Sequence, residues 1–225
     1  MLVDNLEKIN QEIQLACQKA SRSDNDVTMI AVTKSVEKEI AKELAELGVE
    51  NMAENRVDKL LEKKAALENF SSIKWHLIGN LQRRKVKSII NKIDYFHALD
   101  SLKLAQEIQK RAEKQISCFV EVNVTGEESK HGFKSEEVLD FIHQLAEFDQ
   151  IKIIGLMTMA PLDASEPVLH EVFSKLKKLQ SAINNQHLSY APCTELSMGM
   201  SNDFPIAIEE GATFVRIGTA LFRGA

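Results

Sequence analysis

The stretch Val27-Thr28-Met29-Ile30-Ala31-Val32, followed by a charged segment from Val36 to Leu47, sets the pattern on which the fold prediction depends. Its first part is short, apolar and rich in β-branched residues, which indicates a buried strand, and its second part has the spacing of an amphipathic helix. Thr33-Lys34-Ser35 stands between them, where an open doubly wound sheet would normally have a glycine-rich turn. The stretch therefore predicts a strand-then-helix unit with a lysine at the carboxyl end of the strand.

The same pattern recurs along the chain. The further predicted strands cover residues 49–52, 73–78, 95–98, 116–124, 151–157, 195–198 and 213–216. The helices predicted after strands two to seven cover residues 54–67, 82–90, 101–114, 136–148, 166–183 and 201–210, and another helix precedes the first strand at about residues 4–20. Eight alternations in 225 residues predict an α/β fold, a closed (β/α)8 barrel of the TIM type with an N-terminal extra helix. An open doubly wound sheet is the alternative.

The end of the chain departs from this repeat. Only Arg223-Gly224-Ala225 follow Leu221-Phe222, so we expect the eighth helix to be short or absent. No Ser/Gly/Pro-rich linker divides the chain, and we therefore expect one domain over residues 1–225.

Bulk composition excludes several function classes. The net charge is -5, which makes nucleic acid and anionic membrane surfaces poor partners. The three cysteines are far apart and form no C-x-x-C motif, so neither a zinc site nor a disulfide framework is expected. The charged N-terminus does not have the form of a secretory signal, and no apolar run approaches the ~18 residues that span a bilayer. We expect a cytoplasmic protein.

Polar residues follow several of the predicted strands. In a barrel of this type the reactive groups gather at the carboxyl ends of the strands. The candidates there are Lys34, Asn51, Glu54, Asn55, His76, Asn80, Gln82, His97, Asp100, Asn123, Met157, Ser197, Ser201, Arg216, Gly218 and Thr219. One lysine, one arginine and Ser/Gly/Thr residues on the last two loops indicate a site for an anionic ligand that carries a carbonyl group.

Each of the main candidates also has a structural interpretation. Lys34 ends an apolar strand, where a dehydrated amine becomes a nucleophile, but its side chain could instead extend into solvent. Ser201 could hold a phosphate at a helix N-terminus or only cap that helix. Arg216 needs an anionic partner, which could be a neighbouring carboxylate. His76 and Met157 could be packing residues.

Six segments, taken together and in order, resemble the family of pyridoxal phosphate homeostasis proteins. They are Ala31-Val32-Thr33-Lys34-Ser35, Ala53-Glu54-Asn55, Trp75-His76-Leu77-Ile78-Gly79-Asn80-Leu81-Gln82, Ile154-Gly155-Leu156-Met157-Thr158-Met159-Ala160, Leu196-Ser197-Met198-Gly199-Met200-Ser201-Asn202-Asp203-Phe204 and Val215-Arg216-Ile217-Gly218-Thr219. The resemblance implies a barrel similar to the N-terminal domain of alanine racemase, with pyridoxal 5′-phosphate as its cofactor.

The resemblance also implies roles for residues. It places the cofactor aldehyde on Lys34 as a Schiff base, the phosphate near Ser201, Gly218 and Thr219 with Ser197 and Met198 close by, and Arg216 at the pyridine nitrogen. Asn55, His76 and Met157 would belong to the cofactor pocket as well. The family's phenylalanine-glycine pair and longer tail are replaced here by Leu221-Phe222-Arg223-Gly224-Ala225, which bears on the phosphate side of the site.

The function that this resemblance implies is a carrier without enzymatic turnover that buffers pyridoxal phosphate inside the cell. Its expected partners are the cofactor and, in transient contacts, pyridoxal phosphate-dependent enzymes, and we expect a monomer. The alternative is an amino-acid racemase of the alanine racemase type, which needs a second, β-rich domain and an opposing tyrosine base. The tyrosines of this chain are Tyr95 and Tyr190, and the sequence identifies neither as that base.

Overall fold

The fold was determined as a computed structural model, which describes residues 1–127 and 131–224. Nine strands are present in the described part of the chain: β1 (Thr28–Val32), β2 (Asn51–Glu54), β3 (Lys74–Leu77), β4 (Tyr95–Leu99), β5 (Ile116–Asn123), β6 (Phe133–Lys134), β7 (Ile151–Met157), β8 (Glu195–Met200) and β9 (Phe214–Ile217). Most of their residues are buried, because strands of a parallel sheet are covered on both faces.

The strands form a closed parallel barrel. Their order is β4-β3-β2-β1-β9-β8-β7-β5, and pairing between β4 and β5 closes the ring. The short strand β6 adds only to the end of β5 and lies outside the ring. Eight strands therefore build a TIM-type (β/α)8 barrel, as the sequence predicted, and the open-sheet alternative is wrong.

Helices surround the ring, and one of them precedes it. They are α1 (Leu2–Lys19), α2 (Lys38–Glu46), α3 (Val57–Ala66), α4 (Val86–Ile89), α5 (Leu102–Arg111), α6 (Val138–His143), α7 (Glu166–Asn184) and α8 (Phe204–Glu209). Short 3-10 turns flank α4 and precede α6. After β9 the described residues form turns and no helix, and Ala225 lies outside the described residues.

Two predicted helix starts are wrong, and both errors bear on the site. Glu54 was predicted to open a helix, but it is the last residue of β2 and is fully buried. Ser201 was predicted to open the seventh helix after a strand ending at Met198. In the structure β8 continues to Met200, and α8 begins at Phe204. Ser201 therefore lies in a turn and does not cap the helix.

One hydrophobic cluster fills the barrel and the layer between strands and helices. It includes Cys17, Cys118 and Cys193, which are all free thiols and all buried. Burial raises the pKa of all three thiols, that of Cys193 to about 12. Among the described residues no helix is long and apolar enough to cross a membrane.

Candidate functional site

A cavity of about 590 Å³ opens at the carboxyl end of the barrel. Strand ends that are neighbours in the ring line it: Asn55 after β2, Lys34 after β1, Arg216 in β9, Ser201 after β8 and Met157 at the end of β7. The parallel arrangement brings these side chains together because every strand ends at the same mouth. This is the place where the sequence analysis expected a site.

Lys34 stands at this mouth with an exposed side chain. Thr33 before it is fully buried, so the barrel fixes the backbone up to that residue. Of the two interpretations of Lys34, the structure has the side chain that extends into solvent, because the lysine lies one residue beyond the buried layer. Among the described residues no hydrogen bond or ion pair holds its ammonium group, which leaves the amine free to meet a ligand.

Arg216 is the buried cation of the site, and only 4% of it is exposed. Its Nη1 donates to Ser197 Oγ at 2.6 Å and its Nη2 donates to the Thr158 carbonyl at 3.0 Å. No carboxylate of the described chain forms an ion pair with it, so the structural alternative for this residue is wrong. Burial lowers the pKa of Arg216 to about 10, and the nearby charges of Asp203 and Glu121 oppose that shift. The guanidinium is therefore charged at neutral pH and has N–H groups left for a ligand.

Behind Arg216 a line of hydrogen bonds crosses the barrel interior. His97 Nδ1 lies 2.8 Å from Ser197 Oγ, His97 Nε2 lies 2.9 Å from His76 Nδ1, and His76 Nε2 lies 3.0 Å from Asn51 Oδ1. Burial lowers the pKa of His76 to about 3 and holds that of His97 well below its usual range. Both imidazoles are therefore neutral, and this polar line supports the inner side of Arg216.

The loops after β8 and β9 are joined by Ser201. Its hydroxyl oxygen accepts hydrogen bonds from the N–H groups of Gly218 at 3.2 Å and Ala220 at 3.1 Å. Asp203 Oδ1 accepts from the Met200 N–H at 2.6 Å, which fixes the turn that carries Ser201. Because Ser201 Oγ accepts from both N–H groups, its own proton is left to donate, and Thr219 stands exposed beside this small hydroxyl cradle. Such groups suit an oxyanion.

Gly79 closes the opposite side of the mouth. A Cβ atom at this position would lie 2.0 Å from the Asn55 carbonyl oxygen, so only glycine allows the loops after β2 and β3 to approach this closely. Asn55 and Asn80 both line the cavity as a result. The glycine in Ile78-Gly79-Asn80 therefore serves to place Asn55.

Seven of the ten predicted cofactor residues line the cavity, namely Lys34, Asn55, Met157, Ser201, Arg216, Gly218 and Thr219. His76, Ser197 and Met198 do not, although His76 was expected in the pocket. They lie in the fully buried layer below the mouth, and His76 and Ser197 reach the cavity only through the polar line to Arg216. All three lie within strands, His76 in β3 and Ser197 and Met198 in β8.

The sequence analysis missed Glu121, which lines the cavity from β5 with 3% of its surface exposed. Burial raises its pKa to about 7, and the charge of Asp100 adds to the shift. The signal was a single acid inside the apolar run Phe119-Val120-Glu121-Val122. The loop after β7, with Met159 and residues 160–164, was missed too and forms the outer wall.

Comparisons with known proteins agree with this geometry. Residues 5–225 match the family model described as alanine racemase, N-terminal domain. The chain is 39% identical over 222 residues to the pyridoxal phosphate homeostasis protein of Aquifex aeolicus, an alignment that covers 97% of this chain and 96% of that protein. The chain belongs to the family of pyridoxal phosphate homeostasis proteins. The relatives from Synechocystis and Pseudomonas aeruginosa have the same name.

Two solved structures have the same fold as this chain. An uncharacterised protein from Bifidobacterium adolescentis superimposes with a TM-score of 0.93 at 31% identity, covering 98% of this chain and 94% of its own. PipY of Synechococcus elongatus, whose structure was solved with PLP bound, has a TM-score of 0.86 at 28% identity, covering 99% of this chain and 100% of its own. The chain therefore shares its fold, over nearly its whole length, with both solved structures.

Proposed function

We propose that this chain is a carrier of pyridoxal phosphate, which it holds as a Schiff base on Lys34 and buffers for enzymes that need the cofactor. The observation that carries the proposal is the cavity in which the free Lys34 amine, the buried Arg216 and the Ser201 cradle meet. The naming of the relatives and the PLP-bound relative support the same cofactor. The proposal places one monomeric domain, residues 1–225, in the cytoplasm.

The residues present fit the groups of this cofactor. Lys34 supplies an amine for the aldehyde, and Arg216 supplies N–H donors for the ring nitrogen. Ser201 and Thr219 supply hydroxyl groups for the phosphate beside Gly218, with charge-assisted hydrogen bonds as the source of affinity. Asn55 and Met157 complete the walls. In this assignment three residues have indirect roles. Ser197 and, through His97, His76 hold Arg216 in place, and Met198 packs in β8, the strand that leads to Ser201.

The proposal includes no turnover of amino acids, and the chain's own residues support that part. Pyridoxal phosphate, when bound, supplies an electron sink that works best with a protonated ring nitrogen. Arg216 is a donor without an acceptor, so it cannot favour that protonated form. Neither described tyrosine lines the cavity, since Tyr95 stacks on His76 at 4.4 Å below the mouth and Tyr190 is also absent from the lining. Two-base racemisation needs a second base opposite the lysine.

The test starts from the visible spectrum of the purified protein, followed by borohydride reduction and peptide mapping. We expect a yellow protein whose label is on Lys34, no label in Lys34→Ala, and a normal label in Lys42→Ala, which removes an exposed lysine of α2. Incubation with each L-amino acid and chiral analysis should show no product. Label on another lysine would overturn the site, and turnover at ~1 per second, an ordinary enzymatic rate, would make the protein an enzyme.

A further inference from the structure

Three polar side chains are buried together between the barrel and α3, outside the candidate site. Thr33 follows β1, Glu54 ends β2 and Lys63 lies on α3, and we call these residues the buried triad. The side chains of Lys63 and Glu54 are 4% and 0% exposed. The triad does not line the cavity, but Thr33 is joined by a peptide bond to Lys34.

The hydrogen bonds of the triad converge on Thr33 and Glu54. Lys63 Nζ donates to Glu54 Oε1 at 2.5 Å and to the Thr33 carbonyl at 2.6 Å. Thr33 Oγ1 donates to the same Glu54 oxygen at 2.7 Å. Strand pairing places the acid beside the threonine, because Val32 is the partner of Ala53 in the β1–β2 register. The Thr33 carbonyl also accepts from the Val36 N–H at 3.1 Å, so two donors fix this one peptide group.

Stability alone does not account for the triad. Removing two charges from water costs free energy, and well-packed apolar side chains of similar volume often stabilise a protein equally well or better. Glu54 Oε2 is buried without a hydrogen-bond partner in the described structure, which adds to that cost. The arrangement does, however, hold the carbonyl group that immediately precedes the Lys34 backbone.

We infer that Glu54 and Lys63 are positioning residues for Lys34, which fix the Thr33–Lys34 peptide and thereby direct the lysine side chain into the cavity. The inference rests on the proposed function. Lys34 needs such support because its side chain is long, exposed and without a partner among the described residues, so its backbone alone determines where the amine can reach. Glu54 holds Lys63 and Thr33, and Lys63 holds the peptide.

The experiment uses two double variants, Glu54→Leu/Lys63→Met and Glu54→Gln/Lys63→Met. Both remove the bond from Lys63 to the Thr33 carbonyl and leave no unpaired charge. The control is Lys59→Met/Glu62→Gln, which removes the exposed ion pair at 2.9 Å on the same helix. Each protein is incubated with pyridoxal phosphate, and two quantities are measured: total cofactor retained on ultrafiltration, and the part fixed to Lys34 by borohydride. The melting temperature of the cofactor-free protein is measured beside them.

We expect the covalent equilibrium constant at Lys34 to fall about tenfold in the double variants, as for loss of one hydrogen bond to a charged group, while non-covalent retention persists. The melting temperature should stay within about 4 °C of the parent, and the control should match the parent in every measurement. A folded double variant with the parent's covalent fraction overturns the inference, and so does unfolding of both double variants, which would give the triad a stabilising role. Failure of the parent itself to form the bond to Lys34 would instead overturn the proposed function.

Discussion

At the scale of single residues, the amide oxygen of Asn51 decides the direction of every hydrogen bond in the polar line. Asn51 Oδ1 can only accept, so His76 must carry its proton on Nε2 and, being neutral, must accept at Nδ1 from His97 Nε2. The neutral His97 then accepts at Nδ1 from the Ser197 hydroxyl, whose oxygen also accepts from Arg216 Nη1. One amide oxygen thus fixes two tautomers.

This order predicts the nitrogen NMR spectrum of the two buried histidines. His76 and His97 should both appear as the neutral Nε2–H tautomer, and both should remain so at pH 5, since burial lowers the pKa of His76 to about 3. The exposed His187 provides the comparison signal in the same spectra. Asn51→Leu removes the fixed acceptor and should let His76 adopt a mixture of tautomers. An Nδ1–H form in the parent protein would contradict the assigned direction.

Glu121 predicts a loss of stability as the pH rises. Its folded pKa is raised to about 7 from 4.5, so the folded state binds more protons than the unfolded state between these values. The free energy of unfolding should therefore fall as pH increases through this window, by at most about 3 kcal/mol. His76 and His97 act in the opposite direction, because their lowered pKa values make the fold lose stability as pH falls below about 6.5.

The measurement is urea denaturation from pH 5 to pH 8 in the parent and in Glu121→Gln. The variant lacks the titrating group. The free energy of unfolding of the parent should therefore fall relative to that of Glu121→Gln as pH rises from 5 to 8. A difference that does not change with pH would show that the Glu121 carboxyl does not titrate in this range.

At the scale of elements, the turn from β8 into α8 carries the Ser201 cradle and depends on one glycine. Gly199 has φ +94°, and a Cβ atom there would lie 2.6 Å from the Ala207 Cβ of α8. Gly48, after α2, has a similar φ of +84° but open space around it. The two positions therefore separate backbone strain from steric contact.

Gly199→Ala should lower the free energy of unfolding by about 3 kcal/mol, whereas Gly48→Ala should lower it by only about 1 kcal/mol, the cost of the left-handed backbone. Both values come from urea denaturation at one pH. Gly199→Ala should also weaken retention of pyridoxal phosphate, because α8 can relieve the contact only by moving the turn that holds Ser201. Equal losses of stability in the two variants would mean that the β8–α8 contact relaxes freely.

The elements were predictable to different degrees. Strand cores such as 28–32 and 151–157 follow from apolar β-branched runs, and α7 follows from its long amphipathic period. The starts of α3 and α8 were not predictable in this way. A glutamate in this sequence context is typical of an exposed helical position, but Glu54 is buried with Thr33 and Lys63. Met198-Gly199-Met200 extends β8 because Gly199 can adopt a positive φ. Tertiary contacts decide both boundaries.

At the scale of the whole molecule, the barrel itself could be predicted by counting alternations, because a closed parallel sheet repeats one unit. The same count located the cavity at the carboxyl ends of the strands. It could not separate residues at the mouth from those one layer below, such as His76 and Ser197, which the family resemblance assigns to the cofactor pocket or its surroundings. It also left open whether Lys34 is dehydrated or extends into solvent, and the lysine stands just outside the buried layer.

Because the three thiols are buried in the closed barrel, their chemical modification would report how often the structure opens. Cys17, Cys118 and Cys193 come from the first helix, the fifth strand and the segment before β8, and all are enclosed. Alkylation requires the exposed thiolate, so an intact molecule should be inert to iodoacetamide, and an oxidising environment should leave it without mixed disulfides. Each modified cysteine would then record one opening event. Mass spectrometry of the labelled peptides over time would show whether the three regions open one at a time or together.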